Sequence, residues 1–143
     1  MYSDILVPTD GGPSVETVLE HTTDIADADG TTVHVLYVID DGAFLTLKDD
    51  MKTEVLEDLR SEGERAVSEV AEDLDADGFE VETAIRRGSP AETIVSYVED
   101  AGIELVTMGT QADKYTENML GSTSQKVVTK SPAPVLTVNV AEE

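Results

Sequence analysis

The chain has no cysteine, which excludes disulfides, iron–sulfur clusters and thiolate metal sites. It is also poor in base, with 9 Lys and Arg and 2 His in 143 residues. Without clustered cations there is little to displace the counterions of a phosphate backbone, so neither nucleic acid nor an anionic membrane is expected as a partner. No apolar run approaches the roughly 20 residues that span a bilayer, and no signal peptide precedes the first apolar stretch, DILVP. A soluble cytoplasmic protein is therefore expected. Neither Gly-x-x-x-x-Gly-Lys-Ser/Thr nor Gly-x-Gly-x-x-Gly occurs, and the histidines, His21 and His34, form no close pair. His21 falls in a helical stretch and His34 inside a strand, so both read as structural, and no catalytic residue or metal centre is expected.

What the chain has in abundance is acid: 31 Asp and Glu give a formal net charge of −22. Such a chain repels itself in dilute buffer, but at ~1 M salt the Debye length falls to about 3 Å and the repulsion is screened. A salt-rich, halophilic cytoplasm is the expectation. The acids are spread along the chain and 40% of residues are apolar, which favours a folded protein over an acidic disordered tail. The length suits a single domain, residues 1–143, with one core.

Short β-branched runs alternate with stretches of helical period. The runs are DILVP (4–8), TTVHVLYVI (31–39), FEVETAI (79–85), IELVTM (103–108) and PVLTVNV (134–140). Between the first two, Val15, Val18, Leu19, Thr22, Ile25 and Ala26 recur at helical spacing. After the second, Val55, Leu56, Leu59, Ala66, Val67, Val70, Ala71 and Leu74 do the same. A third helix is marked by Ser89 as cap, Pro90 at its first position and Glu92 closing a capping box, with Ala91, Ile94, Val95 and Val98 as its apolar stripe. A fourth begins near Ser122. This alternation predicts an α/β fold, a five-stranded parallel sheet with helices on both faces. Residues 40–53 are long for a connection and read as a surface excursion or a lid.

In open parallel sheets ligands settle beyond the carboxyl ends of the strands, where strand order reverses. Strand one ends in Pro8, Thr9 and Asp10 before Gly11 and Gly12, and strand four ends in Met108 and Gly109. If these strands are neighbours, their ends share one crevice. Asp10 can accept hydrogen bonds from a base amino group or a ribose hydroxyl, and Met108 offers an adaptable apolar contact to a ring. Gly121, Ser122 and Thr123 open the fourth helix, whose free N–H groups suit a phosphate. Each residue also has a local use: Asp10 as a helix cap, Met108 as core, and Ser122 with Gln125 as a capping box. Arg86 and Arg87, at the end of an expected edge strand, read as partners of surface carboxylates.

Four segments, ILVPTDGG, RRGSPAETIV, ELVTMGT followed by LGSTSQKVV, and SPAPVLTVNV, resemble the universal stress protein family along essentially the whole chain. The resemblance implies strand order 3-2-1-4-5, the adenine nucleotide alpha hydrolase-like arrangement. It also implies a homodimer paired through the C-terminal strand, residues 135–140. Many members bind ATP and others do not. In binding members the site uses the Asp after strand one, a Val near the end of strand two and a Gly-x-x-Gly-x9-Gly-Ser/Thr motif. Matched to this sequence, the implied nucleotide site is Pro8, Thr9, Asp10, Val38, Met108, Gly109, Ala112, Gly121, Ser122 and Thr123.

The match departs from the motif at one point. Ala112 stands where the second glycine belongs, and eight residues, Asp113 to Leu120, separate it from Gly121. A Cβ there obstructs close backbone approach of a phosphate, and at a left-handed position it would cost of order 1 kcal/mol. Asp113 and Glu117 add negative charge to the loop, against which stand Lys114, Lys126 or a divalent cation. The expected function is a small dimeric stress-response regulator, not an enzyme, that binds ATP or another adenine nucleotide, with or without Mg2+. The alternative is a dimeric interaction module that has lost the nucleotide.

Overall fold

The computed structural model describes residues 2–43, 47–110 and 122–139. In chain order these form β1 (Asp4–Thr9), α1 (Val15–Ile25), β2 (Thr32–Asp40), a 3-10 turn (Asp41–Ala43), α2 (Asp49–Ala76), β3 (Glu80–Gly88), α3 (Pro90–Ala101), β4 (Leu105–Thr110), α4 (Ser122–Lys130) and β5 (Val135–Asn139). The strands make one parallel sheet in the order β3-β2-β1-β4-β5. Central β1 is covered on both faces, so its run Ile5-Leu6-Val7 is fully buried without alternation.

Two apolar clusters lie on opposite faces of the sheet. Val7, Val33, Val35, Tyr37 and Ile39 meet Val18 and Leu19 of α1 and Ala66, Val67, Val70 and Leu74 of α2. On the other face Leu6, Leu36, Val106 and Met108 meet Ala91, Ile94, Tyr97 and Val98 of α3 and Val127 of α4. The centres of the apolar periodicities become buried stripes, while Val15, Ala26, Val55, Leu56, Leu59, Ala71 and Val95 are only partly buried and Ile25, at the end of α1, is 41% exposed.

Three local expectations are corrected. Ser89 stands at the N-cap of α3 with extended backbone, yet its side chain makes no capping hydrogen bond. Its carbonyl accepts from Thr93 N instead, and Pro90 supplies the preset φ of the first turn. Asp10 does not cap α1: its Oδ1 accepts from Gly12 N at 2.8 Å, an Asx turn that closes before the helix opens at Val15. The excursion at 40–53 is shorter than expected, because α2 already begins at Asp49. Leu47 packs against the α2-side core, while Phe44 and Leu45 lie outside the described residues.

His34 is a buried junction of four elements. Its Nε2 lies 2.9 Å from Asp4 Oδ1, and its Nδ1 lies 2.9 Å from the Tyr97 hydroxyl and 3.3 Å from Glu82 Oε2. Because the Asp4 carboxylate only accepts, Nε2 carries a hydrogen, and in the neutral ring Nδ1 accepts from Tyr97 O–H. The expectation of a structural role fits this geometry. His21 is exposed on α1. No described helix is long and apolar enough to cross a membrane.

Candidate functional site

β1 pairs with β2 along all of Asp4 to Thr9, but its pairing with β4 is confined to Ile5–Leu105 and Leu6–Val106. Beyond that point the two strands leave the ladder, at the place where strand order reverses. A crevice of about 340 Å³ opens there, between the ends of β1, β2 and β4 and the start of α4.

Eight of the ten residues expected from the sequence line this crevice: Pro8, Thr9, Asp10, Val38, Met108, Gly109, Ser122 and Thr123. Ala112 and Gly121 lie outside the described residues. Thr9 is nearly buried and its Oγ1 accepts from Gly11 N at 3.1 Å, while Asp10 is exposed. The turn between them and α1 needs Gly11, whose φ is +85°, a conformation that other residues adopt only with strain. Across the crevice Met108 is buried, leaving Gly109 to carry the backbone to the edge. The hydroxyl of Ser124 donates to Gly109 O at 2.8 Å, so the first turn of α4 is tied directly to the end of β4.

The lining divides by chemistry. Val15, Val18, Leu36, Val38, Ile94 and Met108 form an apolar wall, suited to a planar ring. Asp10 supplies the carboxylate. Ser122, Thr123 and Ser124, at the start of α4, bring hydroxyl groups and the positive end of a helix to the opposite side. No Lys, Arg or His is among the described lining residues, so an anionic group here would rely on that helix end or on a cation brought with it.

Sequence reasoning missed the part of the wall supplied by Ser14, Val15, Val18, Leu36, Tyr37, Pro90, Ile94 and Ser124. Register carries the signal for two of them: Leu36 and Tyr37 lie opposite Pro8 and Thr9, so they share the level at which β1 ends. Burial pushes the Tyr37 hydroxyl above the ordinary tyrosine range, and the charges of Glu62 and Asp10 push it further.

The sequence model of the universal stress protein family matches residues 1–139. The chain belongs to the universal stress protein family. Within that family, universal stress protein MJ0531 of Methanocaldococcus jannaschii is 30% identical over 140 residues, which cover 96% of this chain and 82% of that protein. Universal stress protein MJ0577 of the same organism has a solved structure that matches this chain with a TM-score of 0.90 at 30% identity. The match covers 100% of this chain and 99% of that one. A universal stress protein family protein from Arabidopsis thaliana, solved with AMP bound, shares the fold at 15% identity, with a TM-score of 0.74 over 96% of this chain and 91% of that one.

Arg86 and Arg87 lie outside the crevice. β3 is an edge strand, and Arg87 Nε donates to Asp41 Oδ1 at 2.7 Å, pinning the end of β3 to the turn after β2. Arg86 sits over the Tyr97 ring, 5.4 Å from its centroid.

Proposed function

We propose that this universal stress protein is a small dimeric regulator that binds an adenine nucleotide in the crevice and signals through its bound state without appreciable turnover. The observation that carries this reading is the convergence of the Asp10 carboxylate, the Val38 and Met108 wall and the α4 hydroxyls on one cavity. The AMP held by the Arabidopsis protein supports the choice of ligand class through the shared fold. In this arrangement the base lies against Val38 and Met108, Asp10 accepts from the base or the ribose, and the phosphates meet the start of α4. A Mg2+ ion accompanying the phosphates would supply the positive charge that the described lining lacks.

The nucleotide site so assigned is Pro8, Thr9, Asp10, Val38, Met108, Gly109, Ala112, Gly121, Ser122 and Thr123. Asp10 serves recognition, because its carboxylate is the one on the described wall and nothing beside it there would activate a water. The molecule is proposed as a single cytoplasmic domain, adapted by its −22 charge to high salt. Dimerisation runs through residues 135–140: β5 is an edge strand paired only with β4 in the described sheet, and its Leu136 is 36% exposed. Val140 lies outside the described residues.

The test of the ligand is direct. Protein purified in molar KCl is denatured and the released small molecules are chromatographed beside ATP, ADP and AMP. A stoichiometric adenine nucleotide, or saturable uptake of one by the emptied protein, supports the reading. The alternative, an interaction module without nucleotide, is favoured by Ala112 in place of a glycine; a protein that neither carries nor takes up nucleotide would establish it.

A further inference from the structure

We propose that Tyr37 is a positioning residue of the crevice, its ring held in a slot that Gly63 leaves in α2, so that α2 sets the clearance beside Asp10. The inference rests on the nucleotide reading of the same crevice and deepens it.

Gly63 lies in the interior of the 28-residue helix α2 and is buried. Glycine there costs about 1 kcal/mol relative to alanine, so its presence calls for a reason. The reason is steric: a Cβ on Gly63 would stand 2.6 Å from Tyr37 Cδ1 and 3.1 Å from Cγ and Cε1. The missing side chain is the space the ring occupies. Tyr37 itself belongs both to the α2-side core and to the crevice wall, opposite Thr9 in register.

The same stretch of α2 also bears on the Asp10 turn. A Cβ on Gly11, the residue after Asp10, would meet Glu62 Oε1 at 3.3 Å, Ala66 Cβ at 3.5 Å and Arg65 Nη2 at 3.6 Å. Arg65 is itself held by Glu62 and by Glu69, the latter at 2.8 Å. Residues 62–66 therefore seat the ring of Tyr37 and back the turn that presents Asp10. The charges of Asp10 and Glu62 act on the Tyr37 phenol, in keeping with this closeness. Filling the slot must either lift α2 from the sheet or displace the ring of Tyr37, a residue that also lines the crevice.

The experiment measures AMP and ATP binding calorimetrically in molar KCl for wild type, Gly63→Ala, Tyr37→Phe, Tyr37→Leu and the double variant Tyr37→Leu/Gly63→Ala. Folding is checked by circular dichroism. Tyr37→Phe keeps the ring and is expected to bind within about twofold of wild type, while Gly63→Ala and Tyr37→Leu each weaken binding by about tenfold or more. In the Tyr37→Leu background Gly63→Ala has no further effect, because no ring remains to be displaced. Wild-type affinity in Gly63→Ala, or an equal loss in both backgrounds, overturns the inference and leaves the nucleotide reading standing. A wild-type protein that binds neither nucleotide overturns both. Should Gly63→Ala fail to fold, Tyr37→Leu against Tyr37→Phe decides, and equal affinities there overturn the inference.

Discussion

Ser124 and Gly109 are joined by a hydrogen bond of 2.8 Å from hydroxyl to carbonyl, although they stand fifteen positions apart in sequence. This bond anchors the start of α4 to the end of β4. The Ser124 side chain is buried, so its removal leaves the carbonyl short of a partner. Ser124→Ala is expected to cost about 1 kcal/mol of stability by chemical denaturation, and to weaken nucleotide binding more than an exposed change such as Gln125→Ala. Equal binding by the two variants would separate the anchor from the site.

Burial of His34 among Asp4, Glu82 and Tyr97 makes it the polar junction of β1, β2, β3 and α3. His34→Ala leaves a cavity and strips Tyr97 and Asp4 of a partner, with an expected loss of about 2–4 kcal/mol. Denaturant titration measures it. His21→Ala, on the exposed face of α1, serves as the control and is expected to change stability by less than about 0.5 kcal/mol.

Alkaline titration reports on two tyrosines. Tyr37 is raised above its ordinary value near 10.0 by burial and then by Glu62 and Asp10; Tyr97 is raised by burial and then by Glu82 and Asp4, with Arg86 opposing. Because the folded protein holds these protons more tightly than the unfolded chain, the stability they contribute is present below that value and is lost as pH rises through the folded values. Phenolate absorbance is expected to show Tyr37 and Tyr97 ionising later in the folded protein than in the denatured chain, a delay that Tyr37→Phe and Tyr97→Phe each reduce. Ionisation of Tyr37 and Tyr97 no later in the folded than in the denatured protein would contradict the packing at Gly63 and His34.

Salt provides a third handle. With a net charge of −22 the folded chain repels itself, and screening lowers that repulsion. The thermal midpoint is expected to climb steadily as KCl rises from about 0.1 M toward about 1 M, where the Debye length shrinks from about 10 to about 3 Å. A midpoint indifferent to KCl would remove the argument for adaptation to high salt.

Much of this was legible in the sequence because it is written in period and punctuation. The run Ile5-Leu6-Val7 reads as a doubly covered strand, and Pro90 marks the start of α3. Strand order came from resemblance, and with it the meeting of Asp10 with Met108 and Gly109. Local side-chain geometry was less legible. Ser89 and Asp10 both look like helix caps, yet Ser89 makes no side-chain cap, and Asp10 closes an Asx turn instead, a hydrogen bond two residues on that competes with capping. Tyr37 is hard to place from sequence since a strand residue's neighbours across the sheet are set by tertiary packing, here its register opposite Thr9 and the slot at Gly63.

The central claim is that the crevice at the ends of β1 and β4 holds an adenine nucleotide. Calorimetric titration of the emptied wild type and of Asp10→Ala with ATP, ADP and AMP, in molar KCl with and without Mg2+, tests it most directly. The account predicts one saturable site per chain, weakened by about tenfold or more in Asp10→Ala, as for loss of a hydrogen bond to a charged group. No heat of binding from any of the three in wild type, or unchanged affinity in Asp10→Ala, would contradict it.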